Sequence, residues 1–154
     1  MLYYTYKMKK GYYITADGER VELYPIERLH LQRKGIIALV VPEGVKTIYC
    51  GSNQLTELTV PEGVVKVDCS YNKLKELILP EGTKQVFCEK NKLTELIIPE
   101  SVIHLDCEHN RISNLIIPDN LCNLWCDIKS IDLVKYKDTN CNTQISINVY
   151  SHLN

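Results

Sequence analysis

Apolar residues along this chain recur with two nested periods. The short period alternates: Ile48-x-Cys50 places an apolar side chain at every second residue, as a short strand with one buried face does. The long period repeats that pair as Val67/Cys69, Val86/Cys88, Leu105/Cys107 and Leu124/Cys126, each 19 residues after the last. Pro42, Pro61, Pro80, Pro99 and Pro118 keep the same spacing, and so do Asn53, Asn72, Asn91 and Asn110 until Lys129 breaks the series. One unit reads V-x-x-I-x-C-x-x-N-x-L-x-x-L-x-V-P-E-G from Val45 to Gly63. Fixed periods of this length mark repeat architectures in which each unit is one coil.

Each column has a physical role. The Asn three residues after the Cys suits a sharp turn, where its amide bonds backbone groups of neighbouring turns that no strand satisfies. Leu55, Leu74, Leu93 and Ile112 then point inward, followed by Leu58, Leu77, Leu96 and Leu115. Pro-Glu-Gly closes the coil, because Pro fixes φ, holds the preceding residue extended, and Gly admits turn geometry. Nineteen residues leave no room for a strand plus a proper helix, so the return side is predicted to be extended or polyproline-like. A lone coil cannot stand. Its apolar side chains contribute roughly 1.5–3 kcal/mol each when fully buried, while ordering the backbone costs on the order of 1–2 kcal/mol per residue. Coils must therefore bury one another's faces.

The segment Val45 to Leu55, V-x-x-I-x-C-x-x-N-x-L, resembles the leucine-rich repeat core L-x-x-L-x-L-x-x-N-x-L, with Cys at the third apolar position. The short unit and the Pro before each strand are similar to the bacterial type found in secreted effectors of enteric pathogens. The resemblance implies a right-handed coil with a parallel β-sheet on a concave face that usually binds proteins. Enzymatic members of that type carry their activity in a separate domain after the repeats, so the resemblance implies no activity for the repeats themselves.

Nineteen residues before the first full unit, Ile26, Leu29, Leu31 and Ile36 form a degenerate first coil with Lys34 in the Asn column. At the other end, Ile145, Asn148, Tyr150 and Leu153 form a degenerate last one. Residues 26–154 are thus predicted to be solenoid, about seven coils. Residues 1–25 do not fit the frame. There Tyr12–Thr15 and Arg20–Leu23 flank Ala16-Asp17-Gly18-Glu19, and Asp-Gly is a hairpin signal. An N-terminal hairpin capping the open edge of the solenoid is expected, with a separate functional arm as the alternative. Tyr3, Tyr4, Tyr6, Tyr12 and Tyr13 either pack on the first coil or meet a partner.

Composition narrows the function. With 154 residues, 45% hydrophobic and 24% charged, the chain is expected to form one folded domain. A net charge of −1 offers no basic excess for nucleic acid. No apolar run approaches the ~20 residues of a membrane span, and Met1 to Lys10 has no signal-peptide core. Of the seven Cys, five fall in the inward column and read as small apolar side chains. Their linear stacking cannot converge four thiolates on a zinc ion, and no C-x-x-C occurs. Cys122 and Cys141 lie 19 apart, in reach of a disulfide across adjacent coils; both the bonded and the free state stay open. Unpaired thiols and the absence of an Asn-x-Ser/Thr sequon favour a reducing, cytoplasmic setting, with delivery into a host cell compatible.

No phosphate loop, G-x-S-x-G, H-E-x-x-H or dinucleotide fingerprint occurs, so no enzyme, cofactor or catalytic residue is expected. His104, Asp106, Glu108 and His109 form the one constellation with metal-ligand character, with Asp68, Glu89 and Asp127 nearby. It also matches any solvated strand face, and no metal is expected. The outward strand positions remain. Tyr49, Phe87 and Trp125 alternate there with Asp68 and Asp106, an aromatic on every second strand, and the chain's only Phe and only Trp are among them. Tyr49, Tyr71, Phe87 and Trp125 are expected to anchor a protein or peptide, while Asp68, Glu89, Asp106, Glu108 and Asp127 steer a basic segment of it. The face runs from Arg28 and Arg33 at one end to acidic residues at the other. The alternative is a structural or self-assembly unit pairing through a terminal strand edge. Monomer and weak homodimer correspond to the two readings.

Overall fold

The computed structural model describes residues 9–113 and 115–127, and the backbone of residues 144–148. A β-hairpin of β1 (Gly11–Thr15) and β2 (Arg20–Leu23) comes first, followed by β3 (Arg28–His30) and β4 (Ile36–Val40). The remaining strands come one per repeat: β5 (Thr47–Tyr49), β6 (Lys66–Asp68), β7 (Gln85–Phe87), β8 (His104–Asp106), β9 (Asn123–Asp127) and β10 (Gln144–Asn148). Strand β3 and strands β5 to β10 form a seven-stranded parallel sheet in chain order. Its register is set by the repeat, with Leu29 opposite Ile48 and then Val67, Val86, Leu105, Leu124 and Ile145 in line. The chain is therefore a β-solenoid of stacked coils, and among the described residues no helix occurs.

The strands are short because each coil needs only one fully buried strand residue. Ile48, Val67, Val86, Leu105 and Leu124 have no exposed surface, and their neighbours on either side are half-buried on the outer face. Behind them the core is a stack of like on like, with Val45, Val64, Thr83, Val102 and Leu121 in one column and Leu55, Leu74 and Leu93 in another. Thr83 fits the apolar column because its hydroxyl donates to the Pro80 carbonyl at 2.9 Å, with the Val64 carbonyl also within reach at 3.2 Å. The cysteine column is buried and free at Cys50, Cys69, Cys88, Cys107 and Cys126. Burial pushes the Cys69 and Cys126 thiols up to about 12 and the other three well above their ordinary value, so all five are protonated packing groups. Cys122 is disulfide-bonded; Cys141, the residue expected to face it, lies outside the described residues.

The turn after each strand is held by asparagine. The Asn91 Nδ2 donates to the carbonyls of Cys88 in its own coil and Cys69 in the previous one, both at 3.0 Å, while its Oδ1 accepts the Leu74 N–H at 3.0 Å. Asn72 and Asn110 repeat the arrangement one coil to either side. Asn53 accepts the N–H groups of both Lys34 and Ile36, serving a first coil that has no asparagine of its own. The residue before each asparagine is left-handed: Ser52, Tyr71, Lys90 and His109 have φ between 51° and 58°, as does Arg33 in the first coil. None of these five positions is a glycine, because the asparagine and the next coil over-determine the turn. The N–H groups of Ser52, Tyr71 and Lys90 each donate to a carbonyl 18 residues on, at 2.8–2.9 Å.

The return side is extended, as the short unit requires. Val40, Thr59 and Ile78 pair as isolated parallel bridges, and the Pro turns close by bonds such as Val102 N–H to the Pro99 carbonyl at 3.0 Å. Gly44, Gly63 and Gly82 take φ of 81–90° there, while Ser101 stands in the same column and bonds the Gly82 N–H and the Thr83 carbonyl.

The N-terminal hairpin forms over the expected residues and docks through β1. Strand β1 runs antiparallel to β4, on the return side of the first coil, so β3 is an end strand of the parallel sheet among the described residues. The docking is close: a Cβ on Gly11 would sit 2.1 Å from the Val40 carbonyl oxygen. Tyr13 packs on the core and Tyr12 lies under the Arg20 guanidinium at 3.8 Å. Ile26, expected inside the first coil, is 47% exposed, because β3 begins after it and the chain enters the coil only at Leu29. Tyr3, Tyr4, Tyr6, Tyr150 and Leu153 lie outside the described residues.

Truncating one asparagine strands several buried backbone groups at once, each costing about 1–3 kcal/mol. Asn91→Ala is therefore expected to destabilise the protein by about 3–5 kcal/mol in urea unfolding. Lys92→Ala beside it, exposed, should stay within about 0.5 kcal/mol.

Candidate interaction surface

The outer face of the parallel sheet carries the residues singled out from the sequence. Tyr49, Asp68, Phe87, Asp106 and Trp125 stand directly opposite one another on β5 to β9, one per strand, and all are half-buried. Exact register follows from the 19-residue unit, since any insertion would shift one side chain off the row. Adjacent parallel strands lie ~4.8 Å apart, so the three aromatics stand roughly 10 Å from one another.

Two residues not singled out complete the row. The Lys66 ammonium bridges the aromatics across the intervening strand, 5.4 Å from the Tyr49 ring centre and 5.0 Å from that of Phe87. His30 stacks on Tyr49 with centres 4.8 Å apart and planes 17° from parallel. Both were legible: Lys66 shares its strand face with Asp68, and His30 is one repeat before Tyr49. Tyr71 stands apart from the row. It is exposed in the left-handed turn column, where Lys90 lies 4.5 Å from its ring centre and donates to its hydroxyl at 3.0 Å.

A second row follows two residues on, through Gly51, Ser70, Glu89, Glu108 and Asp127. Gly51 keeps the first row open, since a Cβ there would lie 3.2 Å from Asp68 Oδ1. Glu108 was expected on the solvated face; it is only 8% exposed. Its neighbours crowd it: carboxylate oxygens of Glu89, Asp106 and Glu108 all lie within 4.8 Å of one another. Among the described residues this carboxylate trio, rather than a set built on His104 and His109, is the group with metal-ligand geometry. Burial, reinforced by Glu89 and Glu108, pushes the Asp106 carboxyl up to about 6 despite the N–H of Glu108 donating to it. The acidic end of the face thus keeps a proton up to about pH 6, well above the ordinary carboxylate range, and favours a cation brought against it.

Because the folded state binds the Asp106 proton more tightly than the unfolded chain, this carboxyl favours folding below about pH 4 and loses that contribution as the pH rises through about 6. Asp106→Asn is expected to melt higher than the parent at pH 7, with the gap closing as the pH falls to 4. Thermal melts followed by circular dichroism check this, and a gap independent of pH contradicts it.

Against this geometry, no family model, no curated protein and no solved structure matches the chain.

Proposed function

We propose that the chain is a leucine-rich-repeat solenoid of the short type, acting as a non-enzymatic scaffold that binds a protein or peptide on the sheet face. On this reading the face is concave, the hairpin caps the first coil, and no cofactor, metal or nucleic acid takes part. Tyr49, Phe87 and Trp125 are the anchors on the sheet and Tyr71 one at its rim. Asp68, Glu89, Asp106, Glu108 and Asp127 steer a basic segment of the partner. One observation carries the reading: the only Phe and the only Trp of the chain stand half-exposed in one row on the sheet, while the core is built from Leu, Ile, Val and Cys. Tyr and Trp dominate binding energy at interfaces, where they fill pockets of the partner.

A cytoplasmic, reducing setting, including that of a host cell, belongs to the same proposal; the disulfide at Cys122 is the one observation pointing the other way. No helix among the described residues is long and apolar enough to cross a membrane. The second reading, self-assembly, draws on β3, an end strand whose outer edge pairs with no strand among the described residues. Sedimentation separates the two: a monomer favours the scaffold, a concentration-dependent dimer the assembly unit.

Phe87→Ala and Trp125→Ala should each keep the fold, with a stability loss of about 1 kcal/mol. Each should also lose, by at least about tenfold, the binding of any partner captured by the parent protein from a host lysate. Unfolding of both variants would make these residues core and remove the basis of the proposal.

A further inference from the structure

The return side of the coils carries a second periodic column that the sheet face does not use. Val40, Ile78, Ile97 and Ile116 each stand two residues before a proline, with Thr59 in the same place before Pro61. Ile78, Ile97 and Ile116 are 77%, 86% and 63% exposed, while Leu77, Leu96 and Leu115 beside them are buried. A groove of about 310 Å³ opens between two rungs, lined by Ile97, Ile116, Leu96, Ile98 and Pro118 with Glu95 and Glu100. A lone exposed aliphatic is ordinary; here Val40, Thr59 and Ile78 pair in parallel register and Ile97 and Ile116 line one groove, so the exposed aliphatics form a strip interrupted at Thr59.

Acidic columns run along both sides of the strip. Glu57, Glu76 and Glu95 come two residues before a rung, and Glu43, Glu62, Glu81, Glu100 and Asp119 three residues after one. All are exposed, and only Glu43 among them makes an ion pair with a described residue, Lys9 at 3.3 Å. Within three residues of the rungs the one basic side chain is Lys75.

This charge pattern selects the occupant. A second copy laid on the strip would set acidic column against acidic column, and an anionic bilayer would be repelled in the same way. Pitch narrows it further. Rungs recur about every 4.8 Å, whereas an extended strand lying along the column offers a side chain on one face only every ~6.7 Å. An α-helix returns a side chain to one face about every 5.4 Å, a much closer match. We propose that the return-side strip is a docking surface for a basic amphipathic helix of another protein, its aliphatic stripe on Ile78, Ile97 and Ile116 and its Lys or Arg flanks against the two acidic columns. From Ile78 to Ile116 the apolar rungs span roughly 10 Å, about two turns of a helix, and Thr59 and Val40 extend the column to roughly 19 Å. This surface is independent of the sheet face, so either proposal can fail without the other.

The probe is a labelled synthetic peptide of about 14 residues with Leu at i, i+3, i+4 and i+7 spacing and Lys elsewhere, titrated at physiological salt. It should bind and gain helix by circular dichroism. Ile78→Ser with Ile97→Ser, and separately Glu76→Lys with Glu95→Lys, should each weaken binding about tenfold or more while leaving the melt near that of the parent. Trp125→Ala should bind as the parent does. The proposal is overturned by any of four results: no binding, equal binding of a peptide with its Leu residues scrambled, affinity kept by the Ile double variant, or loss of binding in Trp125→Ala. A parent dimer that the Ile double variant turns to monomer would show a second copy on the strip and overturn it too.

Discussion

Four asparagine side chains, one per full coil, hold the turns of this molecule to their neighbours. Each amide donates to a carbonyl in its own coil and to one in the coil before, and accepts a backbone N–H from that earlier coil. No backbone ladder reaches these groups, because the chain leaves the sheet there and turns through a left-handed residue. Buried and unpaired, they would cost about 1–3 kcal/mol each. Satisfied from one coil to the next, they make every coil depend on the previous one, which is how a quasi-linear stack acquires cooperativity. Among the described residues no buried side-chain polar atom is left without a partner.

The same constraint shapes both surfaces. Each coil must bring its asparagine to the same height, so insertions are excluded and every column stays in register. The sheet face inherits an unbroken row of Tyr49, Asp68, Phe87, Asp106 and Trp125, and the return side inherits its aliphatic strip. A globular fold of this size would scatter such residues. Here a single outward residue type, repeated, becomes a stripe whose chemistry the solenoid sums.

Legibility followed the period. Wherever a column repeats, as at Cys50 to Cys126 or Asn53 to Asn110, its place in the coil could be read from spacing alone, and the outward strand residues followed by alternation. Where the period ends, local reading was weaker. The Asp17-Gly18 turn announced the hairpin, but its partner β4 did not, because docking of β1 depends on Gly11 and the Val40 carbonyl, a long-range fit. Glu108 was misplaced for another reason: alternation reports which face a side chain leaves from, not how deeply its neighbours cover it. The return-side strip was in the sequence throughout, two residues before each proline. Spacing alone does not reveal it, because an exposed isoleucine looks like core until burial is known.

Amide hydrogen exchange tests the central claim most directly. The N–H groups of Leu55, Leu74 and Leu93 donate to Asn72, Asn91 and Asn110 and lie outside the named strands. If the asparagines bind the coils into one cooperative unit, these three amides exchange as slowly as those of Val67 and Val86 in the middle of the sheet, through global unfolding. Exchange as fast as that of the exposed turn residues Glu62 and Glu81 would mean that the asparagine bonds open locally, and that the stack is held by its apolar columns alone.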